Sequence, residues 1–243
     1  MSSELTDYFA GAIAERYDAG SPEMFEPHVL GPTVGLLAEL AGDGPVLELA
    51  IGTGRVALPL HDRGVAVYGF DLSADMVEQL RTKPGGNDVE VTIGDFASAT
   101  VGPKGDFTLV YLVFNTIGNL TTQDAQVAAF QNAAAHLKVG GAFVIEVGVP
   151  DLRRLPPGQT LVPFEVSDHK VGFDEYDVAN QGMISHHVEF GGARFSVPFR
   201  YVWPAELDLM ARLAGMRLAE RWEGWNREPF TSDSRQHVSI WRR

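Results

Sequence analysis

Between residues 45 and 148, short apolar segments alternate with stretches of helical character. Buried strands are predicted at 45–51, 65–70, 89–93, 107–114 and 142–147, and helices between them at 55–63, 73–83 and 123–137. A strand–helix–strand order at this spacing predicts a parallel sheet with right-handed crossovers. The run 107–114, Phe-Thr-Leu-Val-Tyr-Leu-Val-Phe, is nearly all apolar, as a strand buried on both faces should be.

The pattern changes after Pro150. An antiparallel pair of strands is predicted at 183–190 and 194–203, joined at Gly191-Gly192, followed by a helix at 204–214 and strands at 217–225 and 237–241. We therefore predict a single domain over residues 1–243. It would begin with an N-terminal helical lid segment at 4–40 and carry an inserted cap at 150–203.

The composition narrows the classes of function. The chain has 243 residues, of which 45% are hydrophobic, and a net charge of 19 − 32 = −13. This excludes wholesale disorder and disfavours nucleic acids and anionic membrane surfaces as partners. The absence of cysteine excludes disulfides, thiolate nucleophiles and Cys-ligated metals. With no apolar run of ~18 residues and no basic, apolar start, the sequence predicts a cytoplasmic protein with neither membrane span nor signal peptide.

A glycine-rich turn follows the first predicted strand, within Glu48-Leu-Ala-Ile-Gly52-Thr-Gly54-Arg-Val-Ala57. Glycines let a ligand approach the backbone, and the following helix offers unpaired N–H groups. Asp71 ends the second strand, where a carboxylate can accept hydrogen bonds from both ribose hydroxyls. The pattern G-x-G-x-x-A with this acid indicates an adenosine and leaves a nicotinamide cofactor open, and a plain tight turn is the structural alternative.

Two further acids favour a cofactor with a cationic tail over a dinucleotide. Glu48 lies inside an apolar strand, where it would repel a pyrophosphate; the alternative is a buried acid bonded to backbone N–H groups. Asp95, in Gly94-Asp-Phe96, can accept from an adenine amino group while the aromatic ring flanks the base. The alternative for Asp95 is a helix N-cap.

The three segments Glu48–Gly54, Asp71-Leu-Ser-Ala-Asp-Met76 and Gly94-Asp-Phe96 resemble the adenosylmethionine motifs of class I methyltransferases. This resemblance implies an α/β, Rossmann-like, seven-stranded sheet of order 3-2-1-4-5-7-6 with one antiparallel strand. The predicted antiparallel β cap is then an insertion after strand 5. The resemblance also implies S-adenosyl-L-methionine at the carboxyl ends of strands one and two.

The resemblance also implies individual cofactor contacts along these motifs and at the end of strand four. They are Glu48, Ala50, Gly52, Thr53, Gly54, Asp71, Leu72, Met76, Asp95, Phe96, Leu112 and Val113. Amino-sugar N-methyltransferases within the family look similar at Asp7-Tyr8 and at 13–18, which resemble their lid. Tyr8 and Tyr17 would close over the cofactor, unless they form only a hydrophobic staple. The loop 114–120 also looks similar, although Asn119 stands where those enzymes often have histidine.

The predicted function is methyl transfer from S-adenosyl-L-methionine to a nitrogen or oxygen of a small molecule. The leaving group is a neutral thioether, so alignment carries most of the rate and a base can add ~10²–10⁴-fold. Weak catalytic candidates are Glu146, His186 and His187, each with a structural alternative. Candidate acceptor contacts are Tyr111, Phe114, Asn115 and Asn119.

Two other functions stay open from the sequence, a nicotinamide-dependent oxidoreductase and a non-enzymatic adenosylmethionine-binding regulator. The oxidoreductase lacks an evident Tyr-x-x-x-Lys pair. No metal is predicted, since Asn115, Asn119 and Glu146 do not make the Asp–Asp–Asn set of metal-dependent methyltransferases. The sequence does not define the acceptor or the oligomeric state.

Overall fold

The computed structural model describes residues 6–243, with eleven strands and six α-helices in the described chain. The strands are β1 (Val46–Leu49), β2 (Val67–Asp71), β3 (Glu90–Ile93), β4 (Phe107–Leu112), β5 (Leu137–Gly148), β6 (Leu161–Val166), β7 (Lys170–Asp177), β8 (Gly182–Glu189), β9 (Arg194–Arg200), β10 (Arg217–Trp222) and β11 (Gln236–Arg242). The helices are α1 (Ala12–Arg16), α2 (Pro27–Ala41), α3 (Ala57–His61), α4 (Ala74–Arg81), α5 (Gln123–His136) and α6 (Pro204–Leu213).

Seven strands form the main sheet, in the order β3-β2-β1-β4-β5-β11-β10. The strands β1 to β5 pair in parallel, whereas β11 is antiparallel to both β5 and β10. With β10 and β11 as the sixth and seventh strands, this is the predicted order 3-2-1-4-5-7-6 with one antiparallel strand. The predicted fold is therefore confirmed.

The main sheet is buried on both faces, which explains its apolar central strands. Every residue of β1 and β4 is buried. One hydrophobic cluster contains Phe130, Phe143 and Trp241, and a second contains Leu37 and Leu109. The crossover helices begin where the sequence supplies caps: the Ser73 hydroxyl accepts from the Met76 N–H, and the Thr122 hydroxyl accepts from the Ala125 N–H.

A second, antiparallel sheet has four strands in the order β6-β7-β8-β9. The predicted pair corresponds to β8 and β9, but the prediction of two strands was wrong because it missed β6 and β7. Pro163 interrupts the pattern of β6, and it is tolerated because β6 is an edge strand with a bulge between Pro163 and Glu165. In β7, Gly172 breaks the expected run of strand-forming residues.

Several element boundaries also differ from the prediction. The helix α5 ends at His136, close to the predicted end at 137, whereas β5 begins at once at Leu137 rather than at the predicted residue 142, with an irregularity between Phe107 and Leu109 of β4. The predicted strands at 194–203 and 217–225 end at Arg200 and Trp222. Strand pairing, which depends on distant residues, decides these ends.

The N-terminal segment is helical, as predicted, but in short pieces. It contains α1, two 3₁₀ turns at Asp18–Gly20 and Pro22–Phe25, and α2. The first two residues of the predicted lid, 4 and 5, lie outside the described residues. The functional division into lid and cap stays a prediction.

Candidate active site

A cavity of about 300 Å³ lies at the carboxyl ends of β1, β2 and β3, beneath the N-terminal segment. Its wall contains many of the residues predicted to bind the cofactor, and also Asn119 from the predicted acceptor site. The predicted residues on this wall are Tyr8, Tyr17, Ala50, Gly52, Asp71, Leu72, Met76, Asp95, Phe96 and Asn119. Open α/β sheets bind ligands at this edge.

The loop after β1 turns sharply around its glycines. Ala50, Gly52 and Gly54 have φ angles of 57°, 55° and 81°, a region that costs energy for a residue with a side chain. A Cβ on Gly54 would lie 3.0 Å from atoms of both Leu58 and Leu80, so glycine is also needed there for packing. Gly54 packs against Leu58 and Leu80 and does not line the cavity.

Asp71 is held at the cavity wall by two backbone groups. Its Oδ2 accepts a hydrogen bond from the Gly52 N–H at 2.6 Å, and its Oδ1 accepts from the Ser73 N–H at 2.8 Å. Burial raises the pKa of Asp71, while both N–H groups act in the opposite direction. Each carboxylate oxygen retains a further lone pair for a ligand.

The charged side chains that line this cavity have one sign among the described residues. Three carboxylates line it, from Asp7, Asp71 and Asp95, and none of its lining residues within 6–243 is lysine, arginine or histidine. Asp95 also caps its own turn, because its Oδ1 accepts from the Ala97 N–H at 2.9 Å, so both of its predicted roles are compatible. Such a wall favours a cationic ligand and repels the pyrophosphate of a dinucleotide.

Polar contacts hold the N-terminal segment over the cavity. The Gly11 N–H donates to Asp75 Oδ2 at 2.6 Å, and the Thr53 hydroxyl donates to Asp18 Oδ1 at 2.6 Å. Lys83 forms an ion pair with the same Asp18 at 2.5 Å. Thr53 therefore holds the segment in place and does not line the cavity, and its predicted contact with the cofactor stays a prediction.

The aromatic residues of this segment pack on each other as well as on the cavity. Phe9 and Tyr17 meet edge to face with ring centroids 6.1 Å apart, and both line the cavity with Tyr8. Burial raises the pKa of Tyr17. Tyr17 therefore packs against a neighbouring apolar side chain, as a hydrophobic staple would, and also lines the cavity.

Glu48 lies inside the sheet rather than on the cavity wall. It is 3% exposed, and its Oε2 accepts from the Tyr111 hydroxyl at 3.0 Å. Burial raises the pKa of Glu48 to about 8, so the carboxyl is largely protonated at neutral pH. The side chains of Glu48 and Tyr111 point to each other between β1 and β4, and the predicted cofactor contact of Glu48 and acceptor contact of Tyr111 stay predictions.

A second cavity of about 990 Å³ lies between the ends of β4 and β5 and the four-stranded sheet. It contains two predicted acceptor residues, Phe114 and Asn115, together with His187. The segment after β4 borders both cavities, because Thr116 lines the first and Gly118 lines the second.

The turn that begins this segment is strained and held by its neighbours. Phe114 and Asn115 have φ angles of 59° and 62°, which side chains rarely adopt. Glu146 Oε2 accepts from the Phe114 N–H at 3.0 Å, and its Oε1 accepts from the Trp225 indole N–H at 2.7 Å. Asn115 Oδ1 accepts from the Gly148 N–H at 2.6 Å. Glu146 thus binds protein groups with both oxygens and lines neither cavity, so its candidate catalytic role is not supported.

Comparison with known proteins agrees with this arrangement. A family model described as a methyltransferase domain matches residues 46–141. The structure of the CcbJ methyltransferase from Streptomyces caelestis is 38% identical, covers 95% of both chains and superimposes with a TM-score of 0.81. This chain belongs to the S-adenosylmethionine-dependent methyltransferase family.

Two further relatives of this methyltransferase are informative. The cypemycin N-terminal methyltransferase of a Streptomyces species is 28% identical over 237 residues, 92% of this chain and 96% of the relative. The SAM-bound structure of CalS10, an amino pentose methyltransferase from Micromonospora echinaspora, covers 98% of this chain and all of its own. It is 20% identical with a TM-score of 0.69, so it shows the shared fold.

The two candidate histidines of the methyltransferase, His186 and His187, face opposite sides of β8, as strand alternation requires. His187 lines the second cavity with Ser185 and Met183, its neighbours at every second position. His186 lines neither cavity; its ring bonds Ser196 and Glu175 at 2.8 and 3.2 Å. Of the two candidates, the structure brings only His187 to the cavity.

Other residues of the site had weak or no sequence signals. Leu112 and Val113 are buried and line neither cavity, and their predicted cofactor contacts stay predictions. The second cavity also contains Asp174 and Tyr176, which sequence reasoning missed because β7 was not predicted, and Arg154, which lies between β5 and β6. In the first cavity it missed Ser73, Thr116, Leu120, Thr121, Val197 and Pro198. For Ser73, Thr116, Leu120 and Thr121, the available signal was their position in or next to the motif and loop segments that resemble those of methyltransferases.

Residues 6–243 contain neither a membrane-spanning helix nor a cluster of metal-binding side chains. No helix in that range is long and apolar enough to cross a membrane. The same described residues contain no group of three or more His, Asp or Glu side chains arranged to hold a metal ion.

Proposed function

We propose that this methyltransferase binds S-adenosyl-L-methionine in the first cavity and methylates an amine nitrogen of a small molecule in the second. The observation that carries the cofactor assignment is the cavity wall, to which residues 6–243 contribute three carboxylates and no basic side chain. A sulfonium and an ammonium group complement this wall, whereas the two phosphates of a nicotinamide cofactor would be repelled by it.

The residues of the first cavity fit the parts of this cofactor. The free lone pairs of Asp71 suit the ribose diol, and Asp95 suits the adenine amino group. Leu72, Met76 and Phe96 supply apolar surface for the base. When bound, the cofactor supplies an electrophilic methyl group on a sulfonium that leaves as a neutral thioether.

The choice of nitrogen as acceptor rests on the relatives and on the second cavity. One relative is named an N-terminal methyltransferase and another an amino pentose methyltransferase, so the named acceptors carry amino groups. In this chain, Asp174 and the aromatic rings of Phe114 and Tyr176 line the second cavity and suit a cationic amine. The guanidinium groups of Arg154, Arg200 and Arg235 line the same cavity. An oxygen acceptor is the alternative.

In this proposal, the N-terminal segment covers the cofactor and the four-stranded sheet covers the acceptor. Residues 6–40 act as the lid, since Tyr8 and Tyr17 line the first cavity from above. Residues 150–203 act as the cap, since they supply much of the second cavity. Together they exclude water from the space between cofactor and acceptor.

Isothermal titration calorimetry tests the cofactor assignment. We expect micromolar binding of S-adenosyl-L-methionine and no measurable binding of NAD. The variant Asp71→Asn should bind the cofactor about 10- to 100-fold more weakly, because it loses charge-assisted hydrogen bonds worth ~1.5–3 kcal/mol. The matched control is Asp124→Asn, an exposed carboxylate on α5 that lies outside both cavities, which should keep the wild-type affinity.

Circular dichroism spectra of the variants confirm that any loss of affinity is local. Binding of NAD without binding of S-adenosyl-L-methionine would overturn the assignment. An unchanged affinity in Asp71→Asn would show that the ribose is held by other groups.

A further inference from the structure

The cavity-facing side of the four-stranded sheet carries a row of paired polar side chains. In the antiparallel register, Asp174 stands opposite Ser185, and Gly172 stands opposite His187. Asp174, Ser185 and His187 all line the second cavity. They face the ends of β4 and β5 across that cavity, where Phe114 and Gly148 form the other wall.

Aromatic packing fixes the ring of His187 in this row. Its ring is stacked on Phe195 with centroids 4.5 Å apart and an interplanar angle of 8°, and the Phe164 ring lies 5.3 Å away. Gly172 makes room for this arrangement, because a Cβ there would lie 2.3 Å from the Phe164 ring. The imidazole is therefore held in one orientation before any ligand arrives.

Hydrogen bonding selects the tautomer of that ring. His187 Nε2 lies 3.2 Å from Ser185 Oγ, and the Ser185 hydroxyl, opposite Asp174 in the register, lowers the pKa of that carboxyl. A hydroxyl has one proton, so a serine that donates to Asp174 must accept from the N–H at Nε2. Nδ1 of His187 then carries a lone pair, and it has no hydrogen-bond partner among residues 6–243.

We propose that His187 is the proton acceptor of the reaction: its Nδ1 takes the proton that the acceptor's amine gives up, while Ser185 and Asp174 position the ring. The inference rests on the proposed function. The proton leaves the ammonium form of the acceptor for Nδ1, and the freed lone pair forms the new nitrogen–carbon bond. The carbon–sulfur bond breaks and its electrons stay on sulfur, so the two positive charges end on imidazolium and methylated amine.

The surrounding charges suit this role. Burial lowers the pKa of His187, which keeps the ring neutral and able to accept a proton at pH 7. Asp174 on β7 and Glu165 on β6 favour the protonated ring, whereas Lys170 on β7 and His186 on β8 oppose it. The negative charge of Asp174 behind the serine thus stabilises the imidazolium once it forms.

Nuclear magnetic resonance of the ¹⁵N-labelled protein tests the arrangement without any acceptor. Long-range ¹H–¹⁵N correlation spectra, assigned with His187→Gln, should show His187 protonated at Nε2 and bare at Nδ1 at pH 7.5. Asp174→Asn should lower the pKa of His187, because it removes a negative charge near the ring. A ring protonated at Nδ1, or a pKa that does not respond to Asp174→Asn, would overturn the proposal.

A kinetic measurement then tests catalysis, with trialanine as the amine probe and radiolabelled S-adenosyl-L-methionine. His187→Gln should reduce the single-turnover rate about 10²–10⁴-fold and abolish the acidic limb of the pH–rate profile. Its affinity for S-adenosyl-L-methionine should be unchanged. His186→Gln is the matched control on the opposite face and should keep the wild-type rate and pH profile.

Equal rates for His187→Gln and His186→Gln would refute the role of His187. Failure of the wild-type protein to bind S-adenosyl-L-methionine in calorimetry would instead refute the proposed function, so the two failures are distinguishable.

Discussion

The buried carboxyl of Glu48 makes a prediction about stability that a single substitution can test. Glu48 is 3% exposed between β1 and β4, and its bonded side-chain partner is the Tyr111 hydroxyl at 3.0 Å. Burial raises its pKa from 4.5 to about 8. The variant Glu48→Gln has a similar shape and is neutral at every pH, so it imitates the protonated carboxyl.

The sign and size of the effect follow from proton linkage. In the unfolded chain the carboxyl ionises near pH 4.5, whereas in the folded protein it keeps its proton up to about pH 8. Wild-type stability from this group is therefore complete below pH 4.5 and is lost as the pH rises to about 8. This difference in pKa corresponds to about 5 kcal/mol, since each tenfold change in proton affinity is worth ~1.4 kcal/mol.

Urea unfolding of both proteins at pH 5, 6.5 and 8 measures the effect. The free energy of unfolding of Glu48→Gln minus that of wild type should increase with pH, by about 3 to 4 kcal/mol between pH 5 and 8. Glu90→Gln, which changes an exposed carboxyl on β3, should leave the wild-type pH dependence unchanged. A difference that stays constant with pH would refute the reasoning, because it would mean that Glu48 is ionised in the folded protein.

Two other buried groups give predictions of the same kind. Burial lowers the pKa of His237 to about 4, so the unfolded chain takes up the proton first, and stability should fall by about 3 kcal/mol as the pH drops from 6.5 to 4. Thermal unfolding should show this dependence in wild type and not in His237→Gln; equal slopes would contradict it. The ion pair of Arg200 and Glu206, 2.7 Å apart and 7% and 15% exposed, links β9 to α6. Glu206→Ala should cost about 3–5 kcal/mol in urea unfolding by leaving a buried guanidinium unpaired, whereas Arg200→Met with Glu206→Leu should recover most of it; a loss below ~1 kcal/mol in Glu206→Ala would contradict this.

The main sheet was predictable because its signals are local. A strand buried on both faces must be apolar over consecutive residues, as β4 is, and crossover helices need capping residues such as Ser73. The cap was predicted only in part, because exposed antiparallel strands tolerate polar residues and an edge strand tolerates Pro163. Pairing with neighbours, rather than composition, makes β6 and β7 strands.

The individual side chains of the site divide in the same way. Asp71 and Asp95 reach the first cavity because each lies at or just after the carboxyl end of a strand, which the sequence places directly. Glu48 and Glu146 were predicted near ligands and instead bond Tyr111 and Trp225. These partners are 63 and 79 residues away, so no local pattern could indicate them.

The sequence by itself determined the layered α/β fold, the glycine turn and the two acids beside it, because strand burial, helix capping and backbone conformation depend on near neighbours in the chain. Only the tertiary structure decided which acids face a cavity and that Thr53 and Lys83 hold the N-terminal segment through Asp18. It also decided that His187, rather than His186, lines the second cavity. The physical reason is that burial, charge and hydrogen bonding are properties of surroundings, which the chain assembles from distant segments only when it folds.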